Sequence, residues 1–271
     1  MSGISLSAGV RQNLLSLQDT ANQLSITQNR LATGKKVNSA LDNANSYFTA
    51  QSLTNRANSL SNLLDGITNG INTIQAANNG ITAITKLVQS AQSLVTQAQQ
   101  TTDTTVRASL ATQFGATLTQ IDQLAGDSGY NGTNLLASAN LTLKLNETGL
   151  STATVTGVDD TSTGLGIVAA TGNWATATDI SNAGTTLTTA LTTLQTESAS
   201  LSSSLSTIQI RSDFTKATIN TLQTGSDALT VADSNEEGAN LLALQTRQSL
   251  STTALSLSAQ SDKNVLKLFG G

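Results

Sequence analysis

The stretch LTTALTTLQTESASLSSSLSTIQIRSDFTKATINTL, residues 187–222, indicates a long helix, because its apolar residues recur every three and four positions. Such spacing places them on one face of a long helix and is typical of a coiled-coil seam. Serine and threonine occupy part of this face, so the seam is more polar than the apolar seam of an ordinary coiled coil. The seam positions are Leu187, Leu191, Leu194, Leu201, Leu205, Ile208, Ile219 and Leu222, with Ser198, Ser212 and Thr215 between them.

A second helical pattern with the same period runs from Ile67 to Ala98. Two long amphipathic helices in one chain bury their apolar faces most simply against each other. We therefore expect both patterns to form a bundle core within one subunit. The residues expected in this core are Ile67, Ile71, Ile74, Ile81, Val88, Leu191, Leu194, Leu201, Leu205, Ile208 and Leu222.

Capping residues divide the rest of the first half into helices. A first helix is expected from about Ser7 to Leu31, ended by Gly34, and another passes through residues 53–64 before the longer one begins near Ile67. Asp103 is a candidate N-cap for the helix that follows. The absence of proline from all 271 residues permits helices of this length.

The middle of the chain changes to a period of two. Leu141, Leu143 and Leu145 share one face, and Ala153 and Val155 repeat the alternation after a turn, which predicts a β-hairpin. The expected fold class is therefore mainly α: an elongated antiparallel helical bundle or coiled coil built from both chain ends, with a small β-hairpin region in the middle.

Composition excludes most catalytic chemistry. With no histidine and no cysteine, the chain lacks the usual zinc ligands and the histidine that activates a serine or cysteine nucleophile. A carboxylate pair or a Ser–Lys dyad remains as an enzymatic route, and adjacent acids occur at Asp159–Asp160 and Glu236–Glu237. Neighbours in sequence point in different directions, so we expect both pairs on a solvated surface. We predict no enzyme, no cofactor and no metal.

Charge and hydropathy exclude two classes of partner. A net charge of -4 and charged residues at only 11% supply too few cations to neutralise phosphates, so no nucleic acid is expected. The sequence has no apolar run long enough for a bilayer, so no membrane partner is expected. The N-terminus also lacks the pattern of a cleaved secretory signal.

Several motifs resemble those of bacterial flagellin, the subunit of the flagellar filament. QNRLATGKKVNSA at residues 28–40 is similar to the family's N-terminal signature, and GYNGTNLL at 129–136 is similar to its turn before the β region. ADSNEE at 232–237, ALQTRQ at 243–248 and NVLKLF at 264–269 resemble its C-terminal helix. The resemblance covers about residues 1–136 and 181–271, and the short middle indicates a form without large outer domains.

The resemblance implies a structural subunit that self-assembles into the filament and serves swimming motility as a helical propeller. It also implies termini that are disordered before assembly. It divides the chain into an N-terminal inner-tube helix (1–42), the first part of the outer-tube domain (43–136), a β-hairpin and loop region (137–180), the C-terminal outer-tube helix (181–230) and a C-terminal inner-tube helix (231–271).

Partners and location follow from the same resemblance. The main partner is the chain itself as a helical homopolymer, joined by the filament cap, hook-junction proteins, the flagellar export apparatus and an export chaperone. The location is the extracellular filament, reached without a cleaved signal peptide. The residues expected to carry inter-subunit assembly are Leu14, Leu17, Leu24, Leu31, Leu250, Leu257, Val265 and Leu268.

One segment departs from the family pattern. Many flagellins carry a helical Q-R-x-R-E-L-x-x-Q motif that a Toll-like receptor binds, and here serine and glutamine replace its two arginines and its glutamate. Because serine and glutamine cannot form the bidentate contacts of arginine, we predict poor receptor activation. The degenerate segment consists of Gln89, Ser90, Gln92, Ser93, Leu94 and Gln97.

Three other classes of protein stay open from the sequence. A hook–filament junction protein shares the terminal helices, but normally lacks a turn like that at residues 129–136. A coiled-coil adhesin would need an anchor or signal sequence. An enzyme would need a convergent acidic pocket.

Overall fold

The computed structural model describes residues 8–269, without the side chains of 265–269. The elements within this range are α1 (Ala8–Thr33), α2 (Ala44–Gln100), α3 (Thr104–Asp127), β1 (Leu141–Lys144), β2 (Thr152–Val155), a 3₁₀ turn (Thr171–Trp174), α4 (Ala177–Thr230) and α5 (Ser234–Phe269). This confirms a mainly helical fold with a β-hairpin in the middle. The expected start of the first helix, Ser7, lies outside the described residues.

Helix α2 corrects one prediction. The segment through residues 53–64 and the longer one from Ile67 are a single helix of 57 residues. The seam passes without a break from Leu60 to Ile67, seven positions apart and both buried, and no proline interrupts it. Asp103 is confirmed as the N-cap of α3, because its Oδ1 accepts from the backbone N–H groups of Thr105 and Val106 at 2.8 and 3.3 Å.

The described chain divides into two compact units. Unit 1 contains the residues up to Asn55 and those from Thr221 onward. Unit 2 is Arg56–Asn220.

The core of unit 2 forms where α2, α3 and α4 pack together. Phe114 of α3 and Trp174 of the 3₁₀ turn are fully buried, with ring centroids 5.0 Å apart. Ile67, Ile74, Ile81, Val88, Leu194, Leu201 and Ile208 are buried in this cluster, and Ile71, Leu191 and Leu205 pack half-buried against it. Leu222 is half-buried in unit 1.

The hairpin of unit 2 is antiparallel, with Leu141 opposite Val155 and Leu143 opposite Ala153. Leu143 and Val155 are buried, so one face of the hairpin joins the core. Leu143 packs against α2 where Gly70 leaves room: a Cβ on Gly70 would lie 2.5 Å from Leu143 Cδ1. Glycine within α2 therefore permits a close approach of the hairpin.

Replacing Gly80 of α2 by alanine is expected to destabilise unit 2 by about 1–3 kcal/mol, because overpacking of a tight site outweighs the helix propensity of alanine. A Cβ there would lie 2.2 Å from Ser128 Oγ and 2.7 Å from Leu136 Cδ1. Denaturant unfolding followed by Trp174 fluorescence measures the change.

Gly115→Ala in α3 is the matched control, since its Cβ would have no neighbour within 4 Å. We expect it to stabilise the protein by about 0.5–1 kcal/mol. Equal effects at both glycines would contradict the close packing at Gly80.

Unit 1 contains α1 and α5 side by side and antiparallel. Asn13 Nδ2 near the start of α1 donates to Ser258 Oγ late in α5 at 3.2 Å, and Arg30 near the end of α1 reaches Glu237 early in α5. The start of α2 and the end of α4 also pair, because Ser226 Oγ donates to the carbonyl of Ala50 at 3.2 Å.

Candidate assembly surface

The facing sides of α1 and α5 form a seam with a seven-residue repeat. On α1, Val10, Thr20 and Thr27 are buried, while Leu17 and Leu24 are half-buried. On α5, the inward positions are Glu237, Leu241, Leu244, Gln248, Ser251, Leu255, Ser258 and Asp262. Most of these side chains are polar, so the pairing buries little apolar area for its length.

One ion pair fixes the end of the seam. Arg30 Nη1 donates to Glu237 Oε1 at 3.1 Å, and the Glu237 side chain is only 9% exposed. The expectation that both Glu236 and Glu237 are solvated was therefore wrong for Glu237, because Arg30 satisfies its charge inside the seam. Glu236 is exposed as expected.

The segment after α1, residues 34–42, turns the chain back and pairs with the link between α4 and α5. Gly34 ends α1 with φ +68°, a left-handed conformation that favours glycine. Its carbonyl accepts from the Ala232 N–H at 2.9 Å, and the Thr230 carbonyl accepts from the Lys36 N–H at 2.8 Å. Lys36 Nζ also donates to the Ala228 carbonyl at 2.9 Å.

Asp42 closes this segment. Its Oδ2 accepts from the backbone N–H groups of Asn38 and Ser39, both at 2.9 Å. These bonds stabilise the carboxylate and lower the pKa of Asp42. The motif at residues 28–40 is therefore explained within one subunit by backbone geometry.

The motif at residues 129–136 forms a tight turn in unit 2. Tyr130 and Thr133 exchange backbone hydrogen bonds of 2.9 and 3.0 Å across Asn131 and Gly132, both with positive φ. Asn134 Nδ2 then donates to the carbonyl of Ala125 near the end of α3 at 2.8 Å. The turn thereby fixes the buried Leu135 and Leu136 against the core.

The residues expected to carry assembly fall into three groups. Leu17 and Leu24 face α5 within the seam, half-buried. The exposed group is Leu14 at 37%, Leu31 at 40%, Leu250 at 66% and Leu257 at 68%. The side chains of Val265 and Leu268 lie outside the described residues.

Sequence reasoning missed further exposed apolar residues of unit 1. Leu15, Ile26, Phe48 and Leu242 are 53–67% exposed. Leu242 and Leu250 line one shallow apolar patch on α5 with Ala239, Ala243 and Thr246. The available signal was that Leu242, Leu250 and Leu257 follow one another by eight and seven positions, and so share a helix face.

The degenerate receptor segment lies on α2 in unit 2. Gln89, Ser90, Ser93 and Gln97 are exposed, while Gln92 and Leu94 are half-buried. None of these six residues is an arginine, and the cation exposed beside them on the same face of α2 is Lys86.

Asp159–Asp160 also departs from the expectation of a solvated pair. Asp159 is exposed, but Asp160 is fully buried and faces the carboxyl group of Glu197 on α4. The described residues contain no group of three or more side chains able to hold a metal ion. No helix in the part of the chain that the structure describes is long and apolar enough to cross a membrane.

The fold places the protein in a class of helical subunits whose N-terminal and C-terminal segments pair as antiparallel helices in one unit. Residues 4–141 match the family described as the bacterial flagellin N-terminal helical region. Flagellin FljM of Caulobacter vibrioides is 31% identical, with 99% of each chain covered, and a flagellin of Brucella melitensis is 28% identical over all of both chains. The crystal structure of Bacillus cereus flagellin matches 57% of this chain and 88% of that chain, at 20% identity and a TM-score of 0.47.

This chain belongs to the bacterial flagellin family. Flagellins are structural proteins and not enzymes, and they self-assemble into the extracellular flagellar filament. The chain is accordingly a filament subunit with a role in motility.

Proposed function

We propose that this subunit joins the filament through the apolar residues that α1 and α5 leave outside their shared seam, principally Leu14, Leu31, Leu250 and Leu257. The observation that carries the proposal is their exposure, 37–68%, on helices whose facing sides hold polar residues at about half of their positions. Soluble proteins rarely keep contiguous apolar patches without a partner. For a self-assembling chain, that partner is another copy.

The seam supports this reading energetically. Three buried positions of the seam hold polar residues, namely Thr20, Thr27 and Glu237. Ordering a helical residue costs about 1–2 kcal/mol of backbone entropy, whereas burying a whole leucine side chain contributes about 1.5–3 kcal/mol. Because polar residues occupy about half of the seam positions, the seam stabilises α1 and α5 weakly, and neighbouring subunits supply the missing burial.

The seam leucines have a second role in the proposal. Leu17 and Leu24 act by holding α1 on α5 and so present the outer leucines in register. Val265 and Leu268 stay predicted assembly residues on the sequence pattern alone.

The family division of the chain is part of the same proposal. Residues 1–42 and 231–271 form the inner tube, residues 43–136 and 181–230 form the outer tube, and the hairpin region 137–180 faces outward. The pairing of α1 with α5 and the shared core of α2, α3 and α4 support it.

The remaining partners rest on the family resemblance. They are the filament cap, hook-junction proteins, the export apparatus and an export chaperone, with export of an uncleaved chain. Mass spectrometry of subunits from isolated filaments tests the last point. Poor activation of a Toll-like receptor also stays a prediction.

Seeded growth tests the proposed assembly. Purified full-length protein and a variant lacking residues 1–31 are each added to short filament fragments, and electron microscopy measures filament length. Elongation by the full chain alone supports assembly through the terminal helices. Equal elongation by the shortened chain refutes a role for α1.

A further inference from the structure

Two carboxyl groups meet inside unit 2, whereas the residues proposed for assembly belong to unit 1. Asp160 lies in the loop after β2, residues 156–170, and is fully buried. Glu197 is half-buried on α4 and faces it. Both Asp160 oxygens and Glu197 Oε2 are buried without a hydrogen-bond donor among the described residues.

Two facing carboxylates cannot both be ionised at low cost in a buried site. Each ion would lose its hydration, and like charges would repel. A single proton removes the repulsion and provides the missing donor, because a protonated carboxyl donates to its partner. Pairs of this kind titrate together.

The charged groups around the pair do not balance two ionised carboxylates. Asp159, next in the chain, is acidic and adds repulsion. Asp122 of α3 accepts from the Ser162 N–H at 2.7 Å and so holds the same loop from another side. No described lysine or arginine acts on the pair.

Among the described residues, the loop that carries Asp160 makes few hydrogen bonds to α4, although its Leu165 and Ile167 are buried in the core. Its backbone bonds run mainly to the segment before β1: the Asp160 N–H donates to the Leu136 carbonyl at 3.0 Å, and the Val158 N–H to the Leu135 carbonyl at 2.7 Å. Near its end, the Val168 N–H donates to Thr186 Oγ1 on α4 at 3.4 Å. The carboxyl pair is therefore a principal polar link between the middle of the loop and α4.

We propose that a proton shared between Asp160 and Glu197 fastens the 156–170 loop to α4 and makes the packing of unit 2 sensitive to alkaline pH. Loss of this proton leaves two buried anions in contact. The loop then separates from α4 so that water can reach both.

The direction of the pH effect follows from linkage. Burial raises the pKa of Glu197 from 4.5 to about 8, and burial also raises the pKa of Asp160. Between pH 4.5 and about pH 8 the folded protein binds more protons than the unfolded chain, so the stability of the folded state falls as the pH rises. The stabilisation that the shared proton gives to the folded state is full below about pH 4.5 and is lost by about pH 8.

Thermal unfolding followed by fluorescence tests the proposal, because Trp174 is the chain's only tryptophan and is buried in unit 2. We expect the folding equilibrium constant of the wild type to fall about tenfold per pH unit between pH 6 and 7. Glu197→Gln supplies a permanent amide donor to Asp160 and should remove this slope. Asp65→Asn, which removes an exposed carboxylate from α2, should keep it.

Infrared spectroscopy of the wild type is a second test, and it does not depend on whether the Glu197→Gln variant folds. A protonated carboxyl band at pH 7 that disappears near pH 8 supports the shared proton. Absence of that band at pH 7 overturns the proposal, as does an unchanged slope in a folded Glu197→Gln protein. Filament assembly at neutral pH need not change, so failure here is distinct from failure of the assembly surface.

Discussion

Replacing Leu250 and Leu257 together by serine is expected to stop filament growth at concentrations where the wild type polymerises. Both side chains are about two-thirds exposed on α5, so serine removes little that the isolated subunit uses. Burial of each leucine between subunits contributes about 2 kcal/mol, and loss of both raises the critical concentration about a thousandfold. Sedimentation of seeded reactions measures that concentration.

Leu150→Ser is the matched control for this double variant. Leu150 is 89% exposed in the hairpin turn of unit 2 and lies on neither α1 nor α5. We expect normal filaments from it and an unchanged circular dichroism spectrum from both proteins. Normal growth of the Leu250 and Leu257 double variant would exclude these residues as a subunit contact.

Leu244→Ala should give the second large effect, by weakening the seam instead of the outer surface. Leu244 is 9% exposed and lies beside Thr27 and Arg30 of α1. Truncating a buried leucine costs about 2–4 kcal/mol. Since the proposed assembly surface depends on the pairing of α1 with α5, we expect the critical concentration to rise on the order of a hundredfold.

Thermal melting of filaments compares Leu244→Ala with a matched control at an exposed leucine of unit 2, Leu150→Ala. Leu244→Ala should lower the temperature at which filaments lose helical signal, whereas Leu150→Ala should not change it. If Leu244→Ala filaments form and melt as the wild type does, Leu244 does not stabilise the pairing of α1 with α5.

Periodicity alone predicted the elements whose core positions are apolar. The alternation through Leu141, Leu143 and Val155 predicted the hairpin, and the three-and-four spacing predicted α4. The division of α2 between residues 64 and 67 was wrong, because the buried seam continues from Leu60 to Ile67 in one helix. The glycines at 70 and 80 make room for Leu143 and Leu136, which no local pattern reveals.

The faces of α1 were harder to predict because polar residues occupy its buried positions. A search for leucines selects Leu14 and Leu31 together with Leu17 and Leu24, although only the second pair faces α5. Thr20 and Thr27 complete the buried face. Their burial depends on the partner helix, so it is visible only in the folded unit.

The burial of two charged residues could not be predicted from the sequence either. Glu237 and Asp160 each follow another acid in sequence, yet both are buried. Arg30, 207 positions away along the chain, satisfies Glu237, and Glu197 of α4 faces Asp160. Long-range partners of this kind leave no trace in spacing or composition.

Cysteine labelling at position 257 shows whether the outer face of α5 becomes buried when filaments form. The chain has no cysteine, so Leu257→Cys gives a single reactive site, and a trace of this variant in excess wild type forms mixed filaments. A maleimide should label the monomer rapidly and the filament at least about tenfold more slowly, since a thiol buried between subunits is inaccessible. Equal labelling rates in monomer and filament would show that Leu257 stays in solvent and would contradict assembly through the outer face of α5.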